Sequence, residues 1–195
     1  MTHLEAIDAT HGVQPAGFVP VGKIETDTKS VHAWVSANAM EMAVAFNGTL
    51  GSLYPPSKDW LENLRIWKKS FSVGTKKFRA MAGFVEEYLE VREEVLGWLA
   101  KYPSVNAIHI SGYSQGGAHA TLFWRDLVAN RPDLVILGSV YASPRVYDIA
   151  GALEFESKVN DQHHFERIEL HGDPVPHLPP WWLLFRHVKI GRAHV

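Results

Sequence analysis

The sequence predicts an α/β fold, with a mainly parallel central sheet and helices on both faces. Three observations carry that expectation. From residue 78 onward, apolar strand-like runs alternate with helix-like stretches, the pattern of parallel strands joined by crossovers. Residues 134–142 form a continuous apolar run, suited to a strand buried on both faces. A third apolar run, residues 105–110, leads through Gly112-Tyr113-Ser114-Gln115-Gly116-Gly117 straight into a helix-like stretch, residues 115–130. At 195 residues the chain is long enough for one domain with a sizeable core.

In chain order, residues 1–30 are mixed in character, punctuated by Gly and Pro, and read as an N-terminal extension. Residues 31–36 and 41–46 are short apolar or alternating runs that read as paired strands, the second ended by Asn47-Gly48-Thr49. Residues 51–58, with Pro55-Pro56, read as a loop, and residues 60–69 fit either helix or strand. The longest periodic element is predicted as a helix over 78–101. Met81, Val85, Tyr88, Leu89, Val95, Leu96 and Leu99 form one face, five glutamates the other, and Pro103 ends it. After the strand and helix around Ser114 and the run at 134–142 come a weaker helix over 147–158 and a strand over 165–171. The main domain is expected to span residues 31–189.

Composition excludes several classes. Apolar residues make up 46% and charged residues 21%, an ordinary globular balance, and the net charge is −2, so no nucleic-acid partner is expected. With no cysteine there is neither a disulfide framework nor a thiolate metal site. The eleven histidines show no metal-ligand spacing, so no metal and no cofactor are expected. No apolar stretch approaches 18 residues, so no transmembrane segment is expected. The first eight residues lack the basic start and apolar centre of a signal peptide, which makes a cytoplasmic location the default expectation. The last six residues, Ile190-Gly191-Arg192-Ala193-His194-Val195, are what a common short-read sequencing adapter encodes in frame. They are read as adapter read-through and excluded from fold reasoning.

Strand, G-x-S-x-G, helix is the context of a nucleophile elbow. The turn is sharp enough that flanking side chains would collide, hence the glycines at 112 and 116. The following helix points its first N–H groups where an oxyanion would form. A serine hydroxyl needs a base, and the base an orienting acid. In sheets of this type the chain order is Ser, acid, His. Among the acids after Ser114, Asp173 follows a strand at the sheet edge where catalytic loops gather. Gly-Asp-Pro is also ordinary turn chemistry. Three histidines follow it: His194, discounted with the excluded tail; His177, in a Pro-stiffened run; and His187, with room for a loop to bring it back toward Ser114.

Five stretches of the chain, taken in order, resemble the class 3 (fungal-type) triacylglycerol lipase family. These are Val44-Ala45-Phe46-Asn47-Gly48-Thr49 with Asp59-Trp60 behind it; Ala82-Gly83-Phe84 with Tyr88; the elbow, then Tyr141-Ala142-Ser143-Pro144-Arg145-Val146; Asp173-Pro174-Val175-Pro176-His177-Leu178-Pro179-Pro180; and Phe185-Arg186-His187-Val188. The match covers about residues 31–188. The resemblance implies an α/β-hydrolase fold. It makes Ser114 the nucleophile, Asp173 the acid and His187 the base, with oxyanion-hole N–H groups from Thr49 and Gln115. The chain departs from the family at Tyr113 and Gln115, where a His-Leu pair is commoner, and at Asn47, which replaces an arginine.

The family places a mobile lid where this chain has residues 50–56, so Leu53 and Tyr54 are expected at the substrate. Trp181-Trp182-Leu183-Leu184-Phe185 suits an acyl pocket, a transient lipid-surface contact, or core packing. Arg145 is expected in a structural ion pair. The leading expectation is a serine ester hydrolase acting on lipid esters. Its rivals are a phospholipase, lysophospholipase or acyltransferase with the same triad, and a non-catalytic hydrolase-like binding module.

Overall fold

A computed structural model describes residues 1–26, 29–48, 67–73, 76–169, 171–188 and 192–194. Thr49, Leu53 and Tyr54, three of the expected site residues, lie outside the described residues.

Among the described residues the main sheet has seven strands in the order β1-β2-β3-β6-β7-β9-β11. β1 (Phe18–Glu25), β2 (Ser30–Ser36) and β3 (Glu41–Phe46) form an antiparallel meander. β6 (Ala107–Tyr113), β7 (Val135–Tyr141), β9 (His163–Glu169) and β11 (Arg192–His194) continue from β3 in parallel. A second, antiparallel sheet has the order β10-β8-β5-β4, built from β4 (Lys68–Val73), β5 (Lys76–Met81), β8 (Tyr147–Asp148) and β10 (Phe185–Arg186).

Helices cover both faces of the main sheet. On one face α1 (His3–Thr10) lays Ala9 against Phe18, Trp34, Ala43 and Ala45. Its first turn is closed by a capping box, in which Glu5 Oε2 accepts the Thr2 N–H at 2.8 Å and Thr2 Oγ1 accepts the Glu5 N–H at 3.2 Å. On the other face lie α2 (Ala82–Ala100), α3 (Gln115–Asn130) and α4 (Ile149–Glu156). Alternation sorts the strands between these two faces: Met42, Val44 and Phe46 of β3 join Ile108 and Ile110 of β6 in the main core, while Ala43 and Ala45 face α1.

Buried ion pairs lock the helices to each other. Arg92 of α2 donates to Asp126 of α3 at 2.5 Å, and Tyr88 adds its hydroxyl to the same carboxylate at 2.6 Å. That hydrogen bond, offset in part by desolvation, raises the Arg92 pKa, and burial followed by the Asp126 charge raises that of Tyr88. Arg125 of α3 forks onto Glu154 of α4 at 2.8 and 2.6 Å.

The course of the fold differs from the sequence reading in several places. Residues 1–26, within the stretch read as an N-terminal extension, supply α1 and the edge strand β1. The long helix starts at Ala82, and Phe78–Met81 ends a strand whose Phe78 and Ala80 are buried between exposed Lys77 and Arg79. Leu89 lies on the exposed side of α2, whereas Phe84, Val91 and Trp98 are buried. The run at 134–142 is a strand, but Val135 at its start is exposed.

Candidate active site

Ser114 joins β6 to α3 in one residue, with φ 53° and ψ −124°. A side chain rarely adopts a positive φ, and the neighbours hold Ser114 there. Its N–H donates to the Tyr141 carbonyl at 2.9 Å, and its own carbonyl accepts the Gly117 N–H at 2.9 Å. The elbow's tightness is visible at its glycines. A Cβ on Gly112 would lie 2.4 Å from the Gly116 carbonyl oxygen, and one on Gly116 would lie 2.3 Å from the carbonyl oxygens of both Phe46 and Asn47. The end of β3 thus rests directly on the elbow. Gly48 continues this approach, since a Cβ there would stand 3.2 Å from the Ser114 Cβ. Asn47, the departure from the family arginine, uses its Oδ1 to accept the Gly48 N–H at 2.8 Å.

Ser114 opens onto a narrow apolar cleft between Phe84, Pro144, Val175, Leu178 and Pro179, with Gln115 beside it. Gln115 leads α3, so its backbone N–H is among those that have no partner within the helix. Its side chain turns away and donates to Glu87 at 2.5 Å. Glu87 also pairs with the buried His119 at 3.0 Å. Burial pushes the Glu87 carboxyl up, but the hydrogen bond and charge of His119, with Lys29 and Gln115 adding to them, outweigh it and leave its pKa below the ordinary value. Sequence reasoning missed this pair. The available signal was a histidine inside α3, a helix buried on nearly every side.

Asp173 is half-buried in the turn after β9, and its Oδ1 accepts the Val175 N–H at 2.9 Å. The turn chemistry weighed for this aspartate is therefore present. Val175 and Leu178, which follow in the same turn, line the Ser114 cleft.

His187 does not meet the expectation of a base. Its Nε2 donates to the Pro176 carbonyl at 2.5 Å and lies 3.8 Å from Glu169 Oε1. Its ring faces a separate cavity with Thr121, Ser143 and Arg167, with Pro144 as the wall shared with the cleft. Among the described residues no imidazole hydrogen-bonds Ser114 or Asp173. The physical reason is β10, which pairs Arg186 with Tyr147 and so directs the next residue behind the cleft wall. His177 is exposed at the end of a 3₁₀ turn, Val175–His177.

Arg145 is corrected as well. Its guanidinium donates to the Pro179 carbonyl at 2.8 Å and to that of His177, and its N–H donates to the Leu178 carbonyl at 2.7 Å. It anchors the cleft wall through backbone carbonyls, not through a carboxylate, and burial lowers its pKa.

Trp181 and Trp182 stand on a short 3₁₀ turn, Trp181–Leu183, and are 71% and 65% exposed. They neither line the Ser114 cleft nor pack in the core. Among the described residues no cluster could hold a metal ion, and no helix is long and apolar enough to cross a membrane.

The family model for class 3 lipases matches residues 43–182 of the chain. No curated protein matches it in sequence. In fold, the chain is similar to lipase II from Rhizopus niveus, with TM-score 0.76 and 20% identity over 92% of this chain and 67% of that one. It is also similar to the lipase of a Rhizomucor miehei lipase–propeptide complex, with TM-score 0.73 and 24% identity over 92% of this chain and 57% of that one. A third is a triacylglycerol lipase described as having a serine protease triad as its catalytic centre, with TM-score 0.72 and 23% identity over 91% of this chain and 66% of that one. The chain thus spans 57–67% of the length of these lipases.

Proposed function

The chain belongs to the class 3 lipase family, and on that premise we propose that it hydrolyses carboxylic esters of lipids through an acyl-enzyme on Ser114. The observation that carries the proposal is the Ser114 elbow itself: a strained, non-glycine residue between a parallel strand and a helix N-terminus, open to an apolar cleft.

In this reading the Ser114 oxygen attacks the ester carbonyl as its proton passes to a general base, and the carbonyl oxygen gathers negative charge. The Gln115 backbone N–H, together with that of Thr49, stabilises that charge. The tetrahedral intermediate collapses, the base returns the proton to the leaving alcohol, and water then releases the acid by the same steps. Asp173 is the acid that stabilises the base as it becomes protonated. The lining of Phe84, Val175 and Leu178 suits an acyl chain, and Leu53 and Tyr54 are further substrate contacts in this proposal. Trp181 and Trp182 touch the lipid surface that presents the ester, because two exposed indoles in sequence favour a boundary between apolar and wet surroundings.

The test is labelling of the purified chain with a fluorophosphonate beside Ser114→Ala. Wild type is expected to label at Ser114, and the variant to lose about 10³-fold or more of labelling and ester hydrolysis. Equal labelling of both proteins refutes the nucleophile. A series of esters with increasing acyl length then measures the cleft.

A further inference from the structure

A carbonyl oxygen has no proton to give, so the 2.5 Å contact between His187 and Pro176 requires the hydrogen to be on His187 Nε2. An imidazole serving as base in a serine triad has the opposite arrangement: Nδ1–H donates to the acid and Nε2 accepts from the serine. His187 is therefore occupied at the nitrogen that a base would need free.

The contact has a place in the architecture. His187 directly follows β10, which is paired to β8 through Phe185↔Asp148 and Arg186↔Tyr147. Pro176 is the buried middle of the turn that follows Asp173. Its neighbour Val175 gives its N–H to Asp173 and, with Leu178, lines the Ser114 cleft. One hydrogen bond thus joins the second sheet to the segment that carries both the acid and the cleft wall. Arg145 holds the same segment at His177, Leu178 and Pro179. Behind the ring, the Glu169 carboxylate pairs with the buried Arg167 and keeps a negative charge near the imidazole.

We propose that His187 is a positioning residue, which fixes the Asp173 turn through the Pro176 carbonyl and does not take the Ser114 proton. The inference rests on the reading of Ser114 and Asp173 as nucleophile and acid, but its test does not depend on activity.

Long-range ¹⁵N–¹H NMR of the full chain with labelled histidine, assigned by comparison with His187→Gln, reads the tautomer near neutral pH. The Nε2–H form is expected for His187; the Nδ1–H form overturns the proposal. A second arm compares His187→Ala with His187→Gln, whose amide can still donate to a carbonyl but cannot act as a base. The His177 and Leu178 amides, which donate to Pro174 and Val175 at 3.0 Å, are expected to exchange about tenfold faster in the alanine variant and within about threefold of wild type in the glutamine variant. Fluorophosphonate labelling of Ser114 is expected to follow the same order. If His187→Gln keeps amide protection yet labels as poorly as His187→Ala, the histidine moves the proton and the proposal fails. If wild type does not label at all, the reading of Ser114 fails, and the tautomer and exchange still decide the role of His187.

Discussion

The same substitution at two glycines is expected to change stability in opposite directions. Gly97 lies in the interior of α2, and a Cβ there would meet nothing within 4 Å. Alanine at 97 restricts the unfolded chain and suits a helix, so Gly97→Ala is expected to stabilise the fold by about 0.5–1 kcal/mol. Gly116 lies in the first turn of α3, where a Cβ would stand 2.3 Å from two carbonyl oxygens and 2.6 Å from a carbonyl carbon. Ordinary contact begins at 3.4 Å, so β3 and α3 would have to part by roughly 1 Å. The obstacle is backbone, which cannot rotate away as a side chain would. Gly116→Ala therefore falls at or beyond the upper end of overpacking costs, about 3 kcal/mol. For a chain of this size, 1 kcal/mol moves Tm by roughly 2–4 °C, giving a fall of about 6–12 °C at 116 and a rise of about 1–4 °C at 97. Thermal unfolding followed by circular dichroism measures both. Phe46 and Asn47 lead into Gly48 beside Ser114, so Gly116→Ala is also expected to slow fluorophosphonate labelling, while Gly97→Ala leaves it unchanged. A Gly116→Ala protein that melts within about 2 °C of wild type and labels at the same rate would show that the elbow is looser than these contacts imply.

Asp126→Ala removes the carboxylate shared by Arg92, Tyr88 and Asn130 and leaves the half-buried Arg92 guanidinium only the exposed Glu93; a loss of about 3 kcal/mol is expected by urea unfolding. Free imidazole is expected to raise the labelling rate of Ser114 several-fold, since no imidazole among the described residues bonds it; an unchanged rate would show that a proton acceptor already acts there. Burial holds the pKa of both His109 and His32 below the ordinary 6.5. The unfolded chain then binds more protons than the folded one between those depressed values and 6.5, so this contribution is complete above 6.5 and is lost as pH falls below it. Tm is expected to drop between about pH 7.5 and 5.5, and to drop less in a His32→Gln/His109→Gln double variant.

The parts of this molecule written in local pattern could be read from the sequence. The bounds of α3 follow from the glycine elbow at one end and Arg131-Pro132 at the other, and β2 and β3 follow from their alternation. Ser114 was legible because strand, elbow and helix must be contiguous. Residues 78–81 were misread because Met81 continues the apolar spacing of α2, while the alternating burial of Phe78 and Ala80 is set by pairing with β4. The role of His187 was beyond the sequence for a different reason. Chain order put a histidine after the acid, but the strand pairing just before it decides where the ring points. Glu87 and His119 meet only when α2 packs on α3, and neither carries a motif.

The cleft wall between Asp173 and Pro179 is held from two independent sides, by His187 and by Arg145. That arrangement has a consequence for recognition. Ordering a free side chain at a binding surface costs about 0.5–1.5 kcal/mol, and a wall already held in place avoids that charge when a ligand arrives. On the proposed function, discrimination among acyl chains at this wall would come from the apolar area each one covers, about 0.8 kcal/mol per buried methylene until the space is filled, and not from remodelling of the protein.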